Sequence, residues 1–326
     1  MTTKELKTMP EMQTVVVDRK GGIDVAIIGG GPAGLTAGIY SMRMGLSTLL
    51  IEKALLGGLM SVTDRIENYP GFPREIKGMD LSRAFELHAR EMGLDVMFGN
   101  VKKVESGKTA KKLFLEDGTI EAGSLIIASG TEPRKLGVPG EDKLLGRGVS
   151  YCATCDAPFY KDKKVMVIGG GNSAVEEAIF LTNFASVVTI VHRRGELRAD
   201  KILELRARNN PKIYMMWDSK VEKIEGKEKV ESVAIKDNKT GKISKVEVDG
   251  VFLYVGYKPN VSFLNGLLKQ DKGGYIVTDD ELKTSVSGVF AAGDVRVKKL
   301  RQIVTAASDG ALAASSAYRY LVGMKK

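Results

Sequence analysis

The sequence predicts an α/β protein of two Rossmann-like three-layer domains, the second inserted into the first, and three observations carry that prediction. A buried-strand pattern, a glycine-rich turn and an apolar helix follow one another at residues 23–44, and the same order returns at 164–183, about 140 residues later. Each is closed by a further apolar strand, at 48–51 and 187–191, completing a βαβ unit. Proline-containing stretches at 130–139 and 257–260 offer two crossings, so residues beyond the second return to the first domain and make it discontinuous.

Taken in order, residues 1–21 form a polar N-terminal extension to which no chemistry is assigned, expected as an arm or a short added strand. Residues 23–28 are almost continuously apolar, as a strand buried on both faces requires. An Ala/Leu/Ile-rich helix runs to about Met44. Turn signals at Glu116-Asp117-Gly118 and Asp237-Asn238-Lys239-Thr240-Gly241 predict antiparallel hairpins, and residues 303–322 predict a long alanine-rich helix. At 326 residues and 43% hydrophobic content the chain is long enough for two cores. No apolar run is long enough to cross a bilayer, and the first twenty residues lack the apolar core of a signal peptide, so a cytoplasmic protein without a membrane partner is expected. The net charge of +9 comes from basic residues scattered through hairpins, which reads as a solvated surface suited to an acidic protein partner rather than as a nucleic-acid site.

The two glycine turns differ in what they can bind. In Gly29-Gly30-Gly31-Pro32-Ala33-Gly34 the glycines permit a tight turn, approach of a pyrophosphate and close packing of helix on strand, with the phosphates at a helix N-terminus. Eighteen residues past Gly34 stands Glu52, a carboxylate suited to a ribose with a free 2′-hydroxyl, as in FAD or NAD. In the second turn, Gly169-Gly170-Gly171-Asn172-Ser173-Ala174, the same count of eighteen from Ala174 reaches His192, followed by Arg193, Arg194 and Arg198. Arginine forks hold a 2′-phosphate that an acid would repel, so NADPH is expected there, the alternative being a solvated basic loop. Two such sites point to a flavin reduced by a nicotinamide.

The only two cysteines lie in Cys152-Ala153-Thr154-Cys155-Asp156, just before the second βαβ unit, where a reversible disulfide is possible. Zinc is the competing reading. It lacks donors, because only His88 and His192 could complete the set; His88 falls at helical spacing after Leu81 and Phe85, as a packed or half-exposed helix residue does.

With these motifs the chain resembles the low-molecular-weight thioredoxin reductases of bacteria and archaea, over nearly all of its length after Gly22. The resemblance rests on both glycine turns, Glu67-Asn68-Tyr69-Pro70-Gly71, the Cys152 to Asp156 segment, the His192 to Arg198 cluster, Gly288-Val289-Phe290-Ala291-Ala292-Gly293-Asp294, and Arg301-Gln302. It implies an FAD domain at 22–130 and 260–326, with the NADPH domain carrying the CxxC inserted at 131–259. It also implies a homodimer and a thioredoxin or glutaredoxin-like protein as partner. By the same resemblance Gly30 to Ala33 contact the FAD pyrophosphate, Glu52 the adenosine ribose, Asn68 the flavin, Val101 the adenine and Asp294 the ribityl chain. Arg301, Gln302 and Ile303 open the last helix beneath the flavin. Leu59, after Gly57-Gly58, departs from the usual Gln, and Ser129 from the usual Thr.

The implied mechanism passes electrons from NADPH through FAD to the Cys152/Cys155 disulfide, Cys155 facing the flavin and Cys152 attacking the partner. Asp156 is the proposed proton donor or acceptor, its other reading being a turn or helix-cap residue. A rotation of the NADPH domain about the two crossings is implied, since one flavin face cannot meet nicotinamide and disulfide together. Hydroperoxide-reductase flavoproteins carry an added N-terminal thioredoxin-like portion, and ferredoxin–NADP reductases of this type lack the CxxC. A dithiol oxidase or a nucleotide-binding redox sensor on the same scaffold is the remaining alternative.

Overall fold

The computed structural model describes residues 22–107 and 110–324, so the extension expected at 1–21 lies outside the described residues. The described residues divide into two compact units, named outer and inner by chain order: an outer one from 22–61, 67–107, 110–130 and 259–324, and an inner one from 62–66 and 131–258.

The outer unit begins with strand β1 (Ile23–Ile28), helix α1 (Pro32–Arg43), β2 (Thr48–Glu52), α2 (Gly78–Glu91) and β3 (Asp95–Phe98). A hairpin of β4 (Lys103–Ser106) and β5 (Lys111–Phe114) leads into the long β6 (Thr119–Ile127). β3, β2, β1 and β6 lie side by side in parallel. β6 pairs antiparallel with β5 over Thr119–Ala122 and parallel with β1 over Ala122–Ile127, and takes a third partner at Leu125–Ile127 from the returning chain. Alternation along β1 divides the core. Val25 and Ile27 face the helical layer with Leu35, Ala313 and Ala314, while Ala26 and Ile28 face Val104, Leu113, Phe263 and Leu264. His88, expected as packed or half-exposed, is exposed; the buried residues of α2 are Gly78, Leu81, Ser82 and Ala89, and His88 falls in the last turn, beside that stripe.

The inner unit enters through β7 (Thr131–Pro133), α3 (Glu141–Leu144), β8 (Val149–Ser150) and the single turn α4 (Ala153–Asp156). Next come β9 (Lys164–Ile168), α5 (Asn172–Leu181), β10 (Val187–Val191), α6 (Lys201–Arg208) and β11 (Ile213–Met216). An antiparallel sheet of β12 (Ser219–Glu225), β13 (Ser232–Asp237) and β14 (Ile243–Glu247) precedes β15 (Gly250–Leu253) and β16 (Tyr257–Pro259). The main sheet is wholly parallel in the order β11-β10-β9-β15-β8. Val165 and Val167 of β9 pack against Val175 and Ala178 of α5, while Met166 and Ile168 pack against Val221, Val233 and Ile235 of the antiparallel sheet. Helix, parallel sheet and antiparallel sheet are thus three layers, as strands buried on both faces demand.

The two crossings meet in a ribbon of β7 and β16. Just outside it Ser129 and Asn260 exchange hydrogen bonds: Ser129 Oγ donates to the Asn260 carbonyl at 2.7 Å, and Asn260 Nδ2 to the Ser129 carbonyl at 3.0 Å. The returning chain adds β17 (Val289–Ala291) parallel to β6 and ends in α7 (Ile303–Met324), which packs along α1. Among the described residues no helix is long and apolar enough to cross a membrane.

Candidate functional site

In a parallel sheet every carboxyl end points the same way, and ligands gather at that edge. In the outer unit this edge collects the glycine turn after β1, Glu52 at the end of β2, Val101 after β3, and Gly293 with Asp294 after β17. A Cβ on Gly34 would lie 1.8 Å from the Gly29 carbonyl oxygen, so only glycine lets α1 start this close to the strand. Beside it Gly31 opens onto space: a Cβ there meets nothing within 4 Å, and Pro32 and Ala33 begin the helix. Glu52 is buried and fixed beside this opening by N–H groups of Gly30, at 2.7 Å, and Ala54, at 2.9 Å. A carboxylate has about four acceptor positions, so it retains capacity for sugar hydroxyls.

Asp294 Oδ1 is sealed from solvent without a hydrogen-bond partner. Burial raises its pKa, against the pull of Lys298 and Arg301. Such an orphan fits a polyol hydroxyl. Beneath it, Asp309 of α7 accepts from Gly293 N at 3.0 Å, Arg296 Nε at 2.9 Å, Arg296 Nη2 at 3.0 Å and Lys298 Nζ at 2.8 Å. Burial alone would raise the Asp309 carboxyl; the two cations outweigh it and hold the pKa below the ordinary value. Asn68 Nδ2 donates to Gln302 Oε1 at 3.1 Å, bringing these two predicted flavin neighbours together just ahead of Ile303. The Arg301 guanidinium lies 4.1 Å from the Tyr275 ring centre. Val101 is buried, and Leu59 lies exposed in the short turn Gly58–Met60.

In the inner unit the same edge carries the cysteine turn after β8, the second glycine turn after β9, the arginine loop after β10 and Tyr254 after β15. Gly171 precedes α5 and, like Gly31, opens onto space, while Gly169 and Ala174 pack closely where the first turn has two glycines. Asn172 is committed within the protein: its Nδ2 donates to Asp200 Oδ2 at 2.7 Å and its Oδ1 accepts from Asp200 N at 2.8 Å, joining the starts of α5 and α6. Ser173 is half-buried next to it. The His192 ring is buried against Gly170, and its Nε2 has no partner. Burial first, then Arg198, Arg194 and Arg193, lower its pKa, so the ring is neutral at pH 7. Arg198 N–H donates to the Gly170 carbonyl at 2.6 Å and draws the loop against the turn. The side chains of Arg193, Arg194 and Arg198 are exposed, and among the described residues none forms an ion pair with a carboxylate.

Cys152 and Cys155 form a disulfide, with Cα atoms 5.4 Å apart. Cys152 is half-buried, Cys155 is exposed, and Cys155 N–H donates to Cys152 Sγ at 3.2 Å. That bond favours negative charge on Cys152 once the disulfide opens. Asp156 joins α4 to a following short turn, and its side chain caps neither.

The model of the pyridine nucleotide-disulphide oxidoreductase family matches residues 23–310. The chain belongs to that family. Its relatives include a thioredoxin reductase of Bacillus subtilis (strain 168), 48% identical over 299 residues, or 91% of this chain and 94% of the relative. One of Peptoclostridium litorale is 47% identical, over 91% of this chain and 96% of that protein. Among solved structures, a thioredoxin reductase of Lactococcus lactis superposes with a TM-score of 0.91 at 45% identity, covering 92% of this chain and 99% of that one. That of T. acidophilum superposes at 0.88 with 37% identity and the same coverage. Both neighbours share the α/β architecture of two Rossmann-like domains seen here.

Flavin and nicotinamide nucleotide are the cofactors implied for this family, and the open turns, the orphan Asp294 oxygen and the unpaired arginines fit them. Sequence reasoning missed several residues that shape these edges: Asp200, Asp309 with Arg296 and Lys298, Glu177 and Tyr254. Two left a trace. Asp309 sits at helical spacing among Ala306, Gly310 and Ala313, and Glu177 follows Ala174 by three positions in an apolar helix. A charge on a buried stripe is a signal worth following.

Proposed function

We propose that this chain is an NADPH-dependent thioredoxin-disulfide reductase. The outer unit holds FAD, the inner unit holds NADPH, and the Cys152–Cys155 disulfide hands the electrons to a thioredoxin or glutaredoxin-like protein. The observation that carries the reading is one sheet edge bearing both a CxxC disulfide and three unpaired arginines beside a glycine turn. Bound in their turns, the two nucleotides supply the two-electron transfer that opens the disulfide. The rest falls to the chain. Arg193, Arg194 and Arg198 grip a 2′-phosphate, and Glu52 accepts from the hydroxyls of the other ribose. Cys155 N–H steadies the Cys152 thiolate for attack on the partner's disulfide, and Asp156 exchanges the proton. A cytoplasmic homodimer is the expected form.

The test is anaerobic titration of the yellow protein with NADPH and with NADH, followed by turnover with a thioredoxin disulfide. Fast bleaching by NADPH, slow bleaching by NADH and loss of that preference in R193A/R194A are expected. Failure of both nucleotides to bleach the flavin overturns the reading and favours the redox sensor.

A further inference from the structure

Behind the redox turn lies a group that the mechanism above does not use. Thr154, between the two cysteines, and Glu177, on α5, belong to elements packed on each other. Thr154 Oγ1 and Glu177 Oε2 are both sealed from solvent, and neither has a hydrogen-bond partner of good geometry. The half-buried Tyr254 hydroxyl accepts Ala153 N–H of the same turn at 2.8 Å. The Thr154 hydroxyl can satisfy at most one lone pair of a Glu177 carboxylate, so burial still leaves the charged form costly and the neutral acid favoured.

We propose that Glu177 is a proton-holding positioning residue of the redox turn, whose charge state sets how readily the Cys152/Cys155 dithiol ionises. The inference rests on the dithiol reading above and extends it, without depending on either nucleotide. The groups facing Glu177 agree with it. Burial is the main influence, followed by two further carboxylates, Glu176 on the same helix and Asp64 on the 62–66 segment; together they push the Glu177 pKa up to about 8, against a smaller downward pull from the Thr154 hydroxyl. Tyr254 is itself pushed up by burial and by Glu177, so it stays a neutral hydroxyl. At pH 7 Glu177 is therefore a carboxylic acid.

Opening the disulfide adds two electrons and leaves two cysteine sulfurs, each of which holds a proton or remains a thiolate. A thiolate on the redox turn and a buried Glu177 carboxylate behind it are like charges, so ionising either opposes the other. Below pH 8 the neutral acid leaves the nucleophilic thiolate unopposed; above it, the carboxylate raises the apparent thiol pKa.

The flavin-loaded protein, reduced by dithiothreitol and freed of it, is alkylated with iodoacetamide between pH 6.5 and 9.5, the thiolate displacing iodide. Wild type and Glu177→Gln are expected to react alike at pH 6.5. Above pH 8 wild type should lag the variant, by up to roughly three- to tenfold where the thiolate is still the minor form, the effect of about half to one unit of coupling, and the lag closes as the thiol ionises fully. Superimposable profiles overturn the proposal. Should Glu177→Gln fail to fold, infrared spectroscopy of wild type replaces it: a protonated-carboxyl band that weakens above pH 8 and moves between disulfide and dithiol supports the proposal, and its absence at pH 7 overturns it. Failure of NADPH to reduce the flavin would sink the reductase reading while leaving the alkylation result standing.

Discussion

Replacing Asp309 by Asn tests whether the turn that carries Asp294 is held by buried charge. The Asp309 carboxylate sits against Arg296 and Lys298 with side-chain exposures of 10%, 18% and 7%. Asn keeps one acceptor but turns an NH2 group toward donors, so at least two charge-assisted bonds are lost and two cations remain without their counter-ion. Breaking such a buried network costs about 3–5 kcal/mol. For a unit of this size each kcal/mol lowers Tm by roughly 2–4 °C, so a fall on the order of 6–20 °C is expected, accompanied by loss of flavin on gel filtration. The assay is far-UV circular dichroism on heating. The decisive comparison adds Lys298→Met: if buried repulsion causes the loss, removing one stranded cation recovers part of it, and D309N/K298M is more stable than D309N. Additive losses would refute the reasoning. The depressed Asp309 pKa also fixes the pH dependence. Its stabilisation is fully present above the unfolded carboxyl pKa and is lost as pH falls through the folded value, so D309N and wild type should converge in acid.

Three further outcomes are expected. Gly34→Ala drives a Cβ into the Gly29 carbonyl and should shift α1, lowering stability by about 1–3 kcal/mol and releasing flavin, read by urea unfolding and absorbance. Glu141→Ala removes the acceptor for Leu136 N, Gly137 N and the Tyr151 hydroxyl, and should cost roughly 2–4 kcal/mol, seen in the fluorescence of Trp217, which lies in the same unit. Because His192 has a lowered folded pKa, the unfolded chain takes its proton first and stability falls as pH drops below about 6.5; His192→Gln should flatten that fall in melting curves taken between pH 7 and 5.

Much of the site was legible because the chemistry sits at fixed offsets from local patterns. Counting from the glycine turns led to Glu52 and to the arginines, and both stand where β2 and β10 deliver them. What stayed hidden depends on distant partners. Nothing near Glu177 in sequence announces Thr154 or Tyr254, and Asp309 meets Arg296 and Lys298 only because the turn after β17 folds back on α7. The divided pairing of β6 was likewise invisible, since β5 and β17 reach it from opposite directions along the chain. The pairing of the Asn172 side chain with Asp200 was hidden as well, since it depends on where helix α6 begins rather than on the glycine turn.

The ribbon of β7 and β16 has a bearing on how the molecule is made. It brings the first and last residues of a segment of more than a hundred together, so once that segment has folded the outer chain sees a short link instead of a long loop. By the logarithmic cost of loop closure, this spares the outer unit roughly 3 kcal/mol when β17 finally joins β6. Synthesis runs in the same order: the inner unit can fold while the outer one still lacks β17 and α7. Until those last residues leave the ribosome, the β6 edge and the apolar face of α1 stand open, and that interval is when the nascent chain is most exposed to aggregation.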